Sequence, residues 1–83
     1  MVQFDYSAAA ELFPSRRRSL SRQLFGYKRF ANASQAIRFA IEDLPAECLA
    51  GAFLEVDERR YGSDDIRRLY ESAEYPLVRG ARQ

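Results

Sequence analysis

Asn32-Ala33-Ser34-Gln35-Ala36-Ile37-Arg38-Phe39-Ala40-Ile41-Glu42-Asp43-Leu44-Pro45 is the stretch on which the fold turns. Asn32 is a good N-cap, and Gln35 follows it at the capping-box spacing. Ala33, Ile37, Ala40, Ile41 and Leu44 recur at helical intervals and form one apolar stripe, with Ser34, Arg38 and Glu42 opposite. Pro45 cannot continue the helix and ends it. Burying Ile37, Ile41 and Leu44 contributes roughly 1.5–3 kcal/mol each. That is a large share of the total for a domain whose net stability is about 5–10 kcal/mol.

Downstream, Gly51 marks a turn and Ala52-Phe53-Leu54-Glu55-Val56-Asp57 reads as a strand. Ala52, Leu54 and Val56 share one face; Phe53, Glu55 and Asp57 share the other. Tyr61-Gly62 reads as a second turn. Ser63 then caps a helix over 63–73, with Asp64 and Asp65 in its first turn and Ile66, Leu69, Tyr70 and Ala73 as its stripe. Tyr75-Pro76-Leu77-Val78 packs back as extended chain, and 79–83 is expected to be a disordered tail.

Upstream, Val2, Phe4 and Tyr6 alternate with Gln3 and Asp5, the period-two pattern of a short strand. Ser7 caps a short helical turn over Ala8–Phe13, stopped by Pro14. Residues 15–23 are polar and basic, either a flexible loop or a short exposed helix. Residues 24–30 are aromatic-rich and read as another strand. The expected fold is a small two-layer α+β domain over residues 1–83. Its sheet has two or three strands, with helices 33–44 and 63–73 on one face.

The chain has 83 residues, no histidine, no tryptophan and one cysteine. Without histidine, Ser-His and Cys-His catalytic arrangements are excluded. A lone Cys48 excludes structural zinc sites and an intramolecular disulfide. The acidic residues Glu55, Asp57, Glu58, Asp64 and Asp65 do not fit a calcium-loop spacing. No catalytic residue, metal ligand or cofactor is assigned. There is no long apolar run and no signal-peptide pattern at the N-terminus, so the expected location is the cytoplasm, with no membrane partner.

Net charge is +1, but it is unevenly distributed. Residues 1–40 carry a balance of +5 and residues 41–83 a balance of −4; the window 15–30 holds six cations and no acid. Arg16, Arg17, Arg18 and Arg22 could grip phosphates through bidentate forks. Tyr27 follows among aromatics, beside Lys28 and Arg29, and strand aromatics next to cations can stack bases. A solvated basic loop beside core aromatics accounts for the same residues, and no established nucleic-acid-binding signature is present. Phe39 lies off the central helical stripe, either buried under the N-terminal segment or the tail, or exposed as an anchor for a partner.

Gly26–Phe30, Gln35–Glu42, Leu54–Arg59, Ile66–Tyr70 and Tyr75–Leu77 together resemble a group of small uncharacterised alphaproteobacterial proteins of unknown function. The resemblance covers nearly the whole chain. It implies no activity and carries over no site residue.

These readings converge on a non-enzymatic protein-interaction or regulatory module. A homodimer through the Phe39 face or a sheet edge is one form of it. Nucleic-acid binding through 15–30 is the alternative. Segment 15–22 has one apolar residue, Leu20, so it buries too little to offset its ordering entropy and is expected to be mobile. Changing Arg16, Arg17 and Arg18 together to Ala is therefore predicted to shift stability by no more than about 0.5 kcal/mol. Urea melts check this, and a larger loss would make the arginines part of the fold.

Overall fold

The computed structural model describes residues 4–14 and 27–77. The expected mobile segment 15–22, the tail 79–83 expected to be disordered, Val2 and Gln3 of the expected first strand, and 24–26 of the strand expected over 24–30 lie outside these residues. Four strands form the sheet: β1 (Ala10–Phe13), β2 (Lys28–Phe30), β3 (Phe53–Val56) and β4 (Arg59–Gly62). Their order is β2-β1-β3-β4, antiparallel throughout. The sheet is thus wider than the two or three strands expected, within the α+β class. Among the described residues three helices accompany the sheet: α1 (Ala33–Arg38), α2 (Ala46–Leu49) and α3 (Ser63–Glu71).

The largest departure from the sequence reading is at the N-terminus. Ala8–Phe13 does not form a helical turn, and Phe4–Tyr6 does not form a strand. Asp5 instead closes a turn, accepting bonds from the Ser7 amide (2.9 Å) and hydroxyl (2.6 Å). The chain then enters β1, where Ala10 and Leu12 are buried and Glu11 and Phe13 are half-buried. Alanine favours helix locally, but here pairing on both sides overrides that preference. Leu12 opposes Leu54 of β3 and Lys28 of β2.

Residues 33–43 are helical, one residue short of the expected 33–44 because Leu44 is extended, and with one modification. After α1 the backbone widens into a π-helical turn over Phe39–Asp43, and the Leu44 amide bonds to the Phe39 carbonyl at 3.1 Å. The buried side is Ala33, Ala36, Ile37 and Ala40, each 0% exposed. Its centre is rotated towards Ala36, which leaves Ile41 half-buried at the border. Three alanines on this side allow close approach to the sheet, so the helix rests on β1, β2 and β3 and touches α3. Asn32 accepts a bond from the Gln35 amide, the expected cap.

Pro45 ends the long helix but leads into α2, which the sequence reading did not anticipate. Gly51 takes φ 90, a left-handed turn that suits glycine. The hairpin between β3 and β4 turns at Asp57 and Glu58, with φ of 52 and 68. Tyr61-Gly62 is therefore strand and not turn. Ser63 is the first residue of α3, preceded by Gly62 at the cap position, and no side chain caps this end.

Both long helical stretches cover the same face of the sheet. The core joins Leu12, Ile37, Leu54, Val56, Ile66 and Tyr70. The tail packs back as expected: Tyr75 is buried and donates its hydroxyl to the Ser34 carbonyl at 2.9 Å. The Tyr6 hydroxyl donates to the Leu69 carbonyl at 2.9 Å, which ties the N-terminal turn to α3.

Ile37→Ala is expected to cost about 2–5 kcal/mol, and Ile41→Ala clearly less. Ser63→Ala is expected to stay within about 0.5 kcal/mol because its side chain caps nothing. Denaturant melts of the three variants check the order. A loss at Ile41 equal to that at Ile37 would mean that the helix is rotated from this position.

Candidate functional site

No described element packs on the face of the sheet away from the helices, and strand register decides what stands on this open face. Alternation sends Glu11 and Phe13 outward from β1, and Phe53 and Glu55 outward from β3. Pairing then sets two rows across the strands. One runs Arg29, Glu11, Glu55, Arg60. The other runs Phe13, Phe53, Gly62, with Tyr27 beside Phe13 just before β2 begins.

The second row is a ladder of rings. Phe13 and Phe53 are stacked, with centroids 4.7 Å apart and planes 19° apart. Tyr27 lies 5.1 Å from Phe13, tilted by 42°. Gly62 has no side chain to offer opposite Phe53, and its space is open. The Arg60 guanidinium, one diagonal step away, covers Phe53 at 4.6 Å from the ring centroid. Neighbours on both sides therefore cover the broad faces of Phe13 and Phe53, and solvent meets mainly the ring edges. Cross-strand aromatic contacts of this kind contribute about 0.5–1.5 kcal/mol beyond area burial, and a cation over a ring contributes about 0.5–1 kcal/mol at an exposed site.

Tyr27 is 53% exposed. Its hydroxyl donates to Glu11 at 3.1 Å, and Arg29 reaches the same carboxylate at 4.0 Å. Desolvation, and then the Glu11 carboxylate, raise the Tyr27 pKa above its usual value. At the other end of the face, Glu11, Arg29, Glu55, Asp57 and Glu58 border a shallow concavity of about 240 Å³. Acids outnumber cations there.

The sequence-derived candidates separate in space. Tyr27 and Arg29 stand on the open face. Lys28 points to the helix side, its Nζ 5.3 Å from the Phe39 ring centroid and 6.0 Å from that of Phe30. Phe39 packs on Phe30 at 5.7 Å, so β2 partly covers it. Arg16, Arg17, Arg18 and Arg22 lie outside the described residues. Sequence reasoning missed Phe13, Phe53 and Arg60 as one unit. The available signal was Phe53 on the same face as Glu55; its partner Phe13 emerges only once β1 is recognised as a strand.

A second concavity, of about 420 Å³, lies between Asp5, Tyr6, Asn32, Glu74 and Leu77. Hydrogen bonds within the seam engage the Ser7, Tyr6 and Ser34 hydroxyls. Among the described residues, no three His, Cys, Asp or Glu side chains are placed to hold a metal ion, and no helix is long and apolar enough to cross a membrane. Comparison with protein-family models, curated proteins and solved structures finds no match.

A double-mutant cycle of Phe13→Leu and Phe53→Leu is expected to give a coupling of about 0.5–1.5 kcal/mol. Additive losses would contradict the stack. Tyr27 is expected to titrate above free tyrosine in ¹³C-tyrosine NMR spectra, and Glu11→Gln is expected to bring it down. A raised pKa favours the neutral phenol in the folded chain. This contribution is thus present below the unfolded value of about 10 and is lost as pH rises through the folded one.

Proposed function

We propose that this chain is a non-enzymatic, cytoplasmic protein-interaction module whose contact surface is the open sheet face. The observation that carries the reading is the ladder Tyr27-Phe13-Phe53-Arg60 standing on the solvent side of a sheet whose other side already holds the core. Tyrosine, phenylalanine and arginine are the residues enriched where proteins meet, and rigid rings lose little entropy when a partner arrives.

Two arguments favour a protein over nucleic acid on this face. Base stacking needs a free ring face, and those of Phe13 and Phe53 are taken. Glu11 and Glu55 occupy the middle of the adjacent row, where a phosphate backbone would be repelled. The nucleic-acid reading therefore rests on exposed Tyr27 with Lys28 and Arg29, and on Arg16, Arg17, Arg18 and Arg22, which lie outside the described residues. Self-association through a sheet edge is also disfavoured. One edge carries Lys28 and Arg29, the other Arg59 and Arg60, so two copies joined by the same edge would oppose like charges.

A photo-crosslinking residue in place of Tyr27 tests the reading in cells. The expected result is a discrete protein adduct that survives nuclease, with none from the same group placed at exposed Arg67 on α3. Nucleic-acid adducts, or equal protein adducts from both positions, would contradict it.

A further inference from the structure

We propose that the partner segment docking on the open face is a basic amphipathic helix, laid across the strands along the aromatic ladder. The inference rests on the open face being the contact surface, and charge complementarity then selects the occupant. On one side of the ladder, Glu11 and Glu55 stand side by side at the centre of the next row. Asp57 and Glu58 extend this acidic ground at the β3–β4 turn. Of the two cations in that row, Arg29 sits beside Glu11, and Arg60 is drawn away over Phe53. The surface next to the rings is therefore acidic on the flank that the strands define.

Dimensions agree with this occupant. Four strands span three gaps, about 14 Å. Ten helical residues extend about 15 Å. Successive outward rows lie about 6.6–6.8 Å apart along a strand, within the reach of a lysine or arginine on the flank of a helix seated on the ring edges. The matching sequence carries an apolar stripe at i, i+3, i+4 and i+7, with Lys or Arg along one border of that stripe.

A display library of helix-forming peptides tests both levels. Its apolar stripe is fixed, and its two flanks vary freely between Lys/Arg and Asp/Glu. Selection uses the full chain, in parallel with a Tyr27→Ala/Phe53→Ala variant checked for folding by circular dichroism. The expected outcome is enrichment of Lys or Arg on one flank for the native chain only. Binding of a selected peptide is expected to fall at least about tenfold in Glu11→Gln/Glu55→Gln and to weaken with salt. Enrichment of acidic flanks, or binding indifferent to the two Glu changes, would overturn the basic-helix inference and leave the face as a docking surface. Equal enrichment on the Tyr27→Ala/Phe53→Ala variant, or no enrichment at all, would overturn both.

Discussion

The four residues of β1 hold this molecule together. β1 pairs with β2 on one side and β3 on the other, so β2 and the β3–β4 hairpin are joined in one sheet only through it. Leu12 is fully buried at the centre, between Lys28 and Leu54, beneath α1. Without β1, β3–β4 is a two-stranded hairpin, marginal by itself in water, and β2 has no partner.

The period of two in the same strand also creates the two characters of the sheet. Ala10 and Leu12 face the helices and enter the core with Ile37, Leu54 and Ile66. Glu11 and Phe13 face outward and complete both rows of the open face. A slip of one residue would exchange the sets, sending Phe13 and Glu11 into the core and Leu12 into water. The fold and the open face therefore depend on one register. The helix side is closed further by Tyr6, Tyr70 and Tyr75, whose hydroxyls tie the N-terminal turn to α3, α3 to the π-helical turn, and the tail to α1. The open side has no such cover among the described residues.

Elements whose pattern was long and consistent were legible in the sequence. The stripe Ala33–Leu44, the alternation in 52–57 and the stripe beginning at Ile66 each carry enough apolar positions to set their period. β1 was not legible for a physical reason. Ala8-Ala9-Ala10-Glu11-Leu12 has high helical propensity, and four residues of alternation are too few to outweigh it before the partner strands are known. The β3–β4 turn was hidden because a two-residue hairpin turn is usually signalled by Asn-Gly or Asp-Gly, and here Asp57 and Glu58 take the left-handed conformation without a glycine. The nearby Gly62 drew the turn to the wrong place. The ladder was illegible because Phe13 and Phe53 are far apart in sequence and meet only through the β1–β3 register. Tyr27 and Arg29 were recognised individually, as cation and aromatic in a basic window, but their shared attachment to Glu11 needed the β1–β2 pairing.

The most direct test of this account is the backbone conformation of Ala10–Phe13 in solution. NMR chemical shifts of their Cα, Cβ and Hα nuclei, together with cross-strand nuclear Overhauser effects, report it residue by residue. The account predicts extended-chain shifts at all four residues and contacts linking Leu12 to both Leu54 and Lys28. Helical shifts over Ala8–Phe13 with no contact from Leu12 to Leu54 would contradict it, and the sheet, its register and the open face would have to be abandoned together.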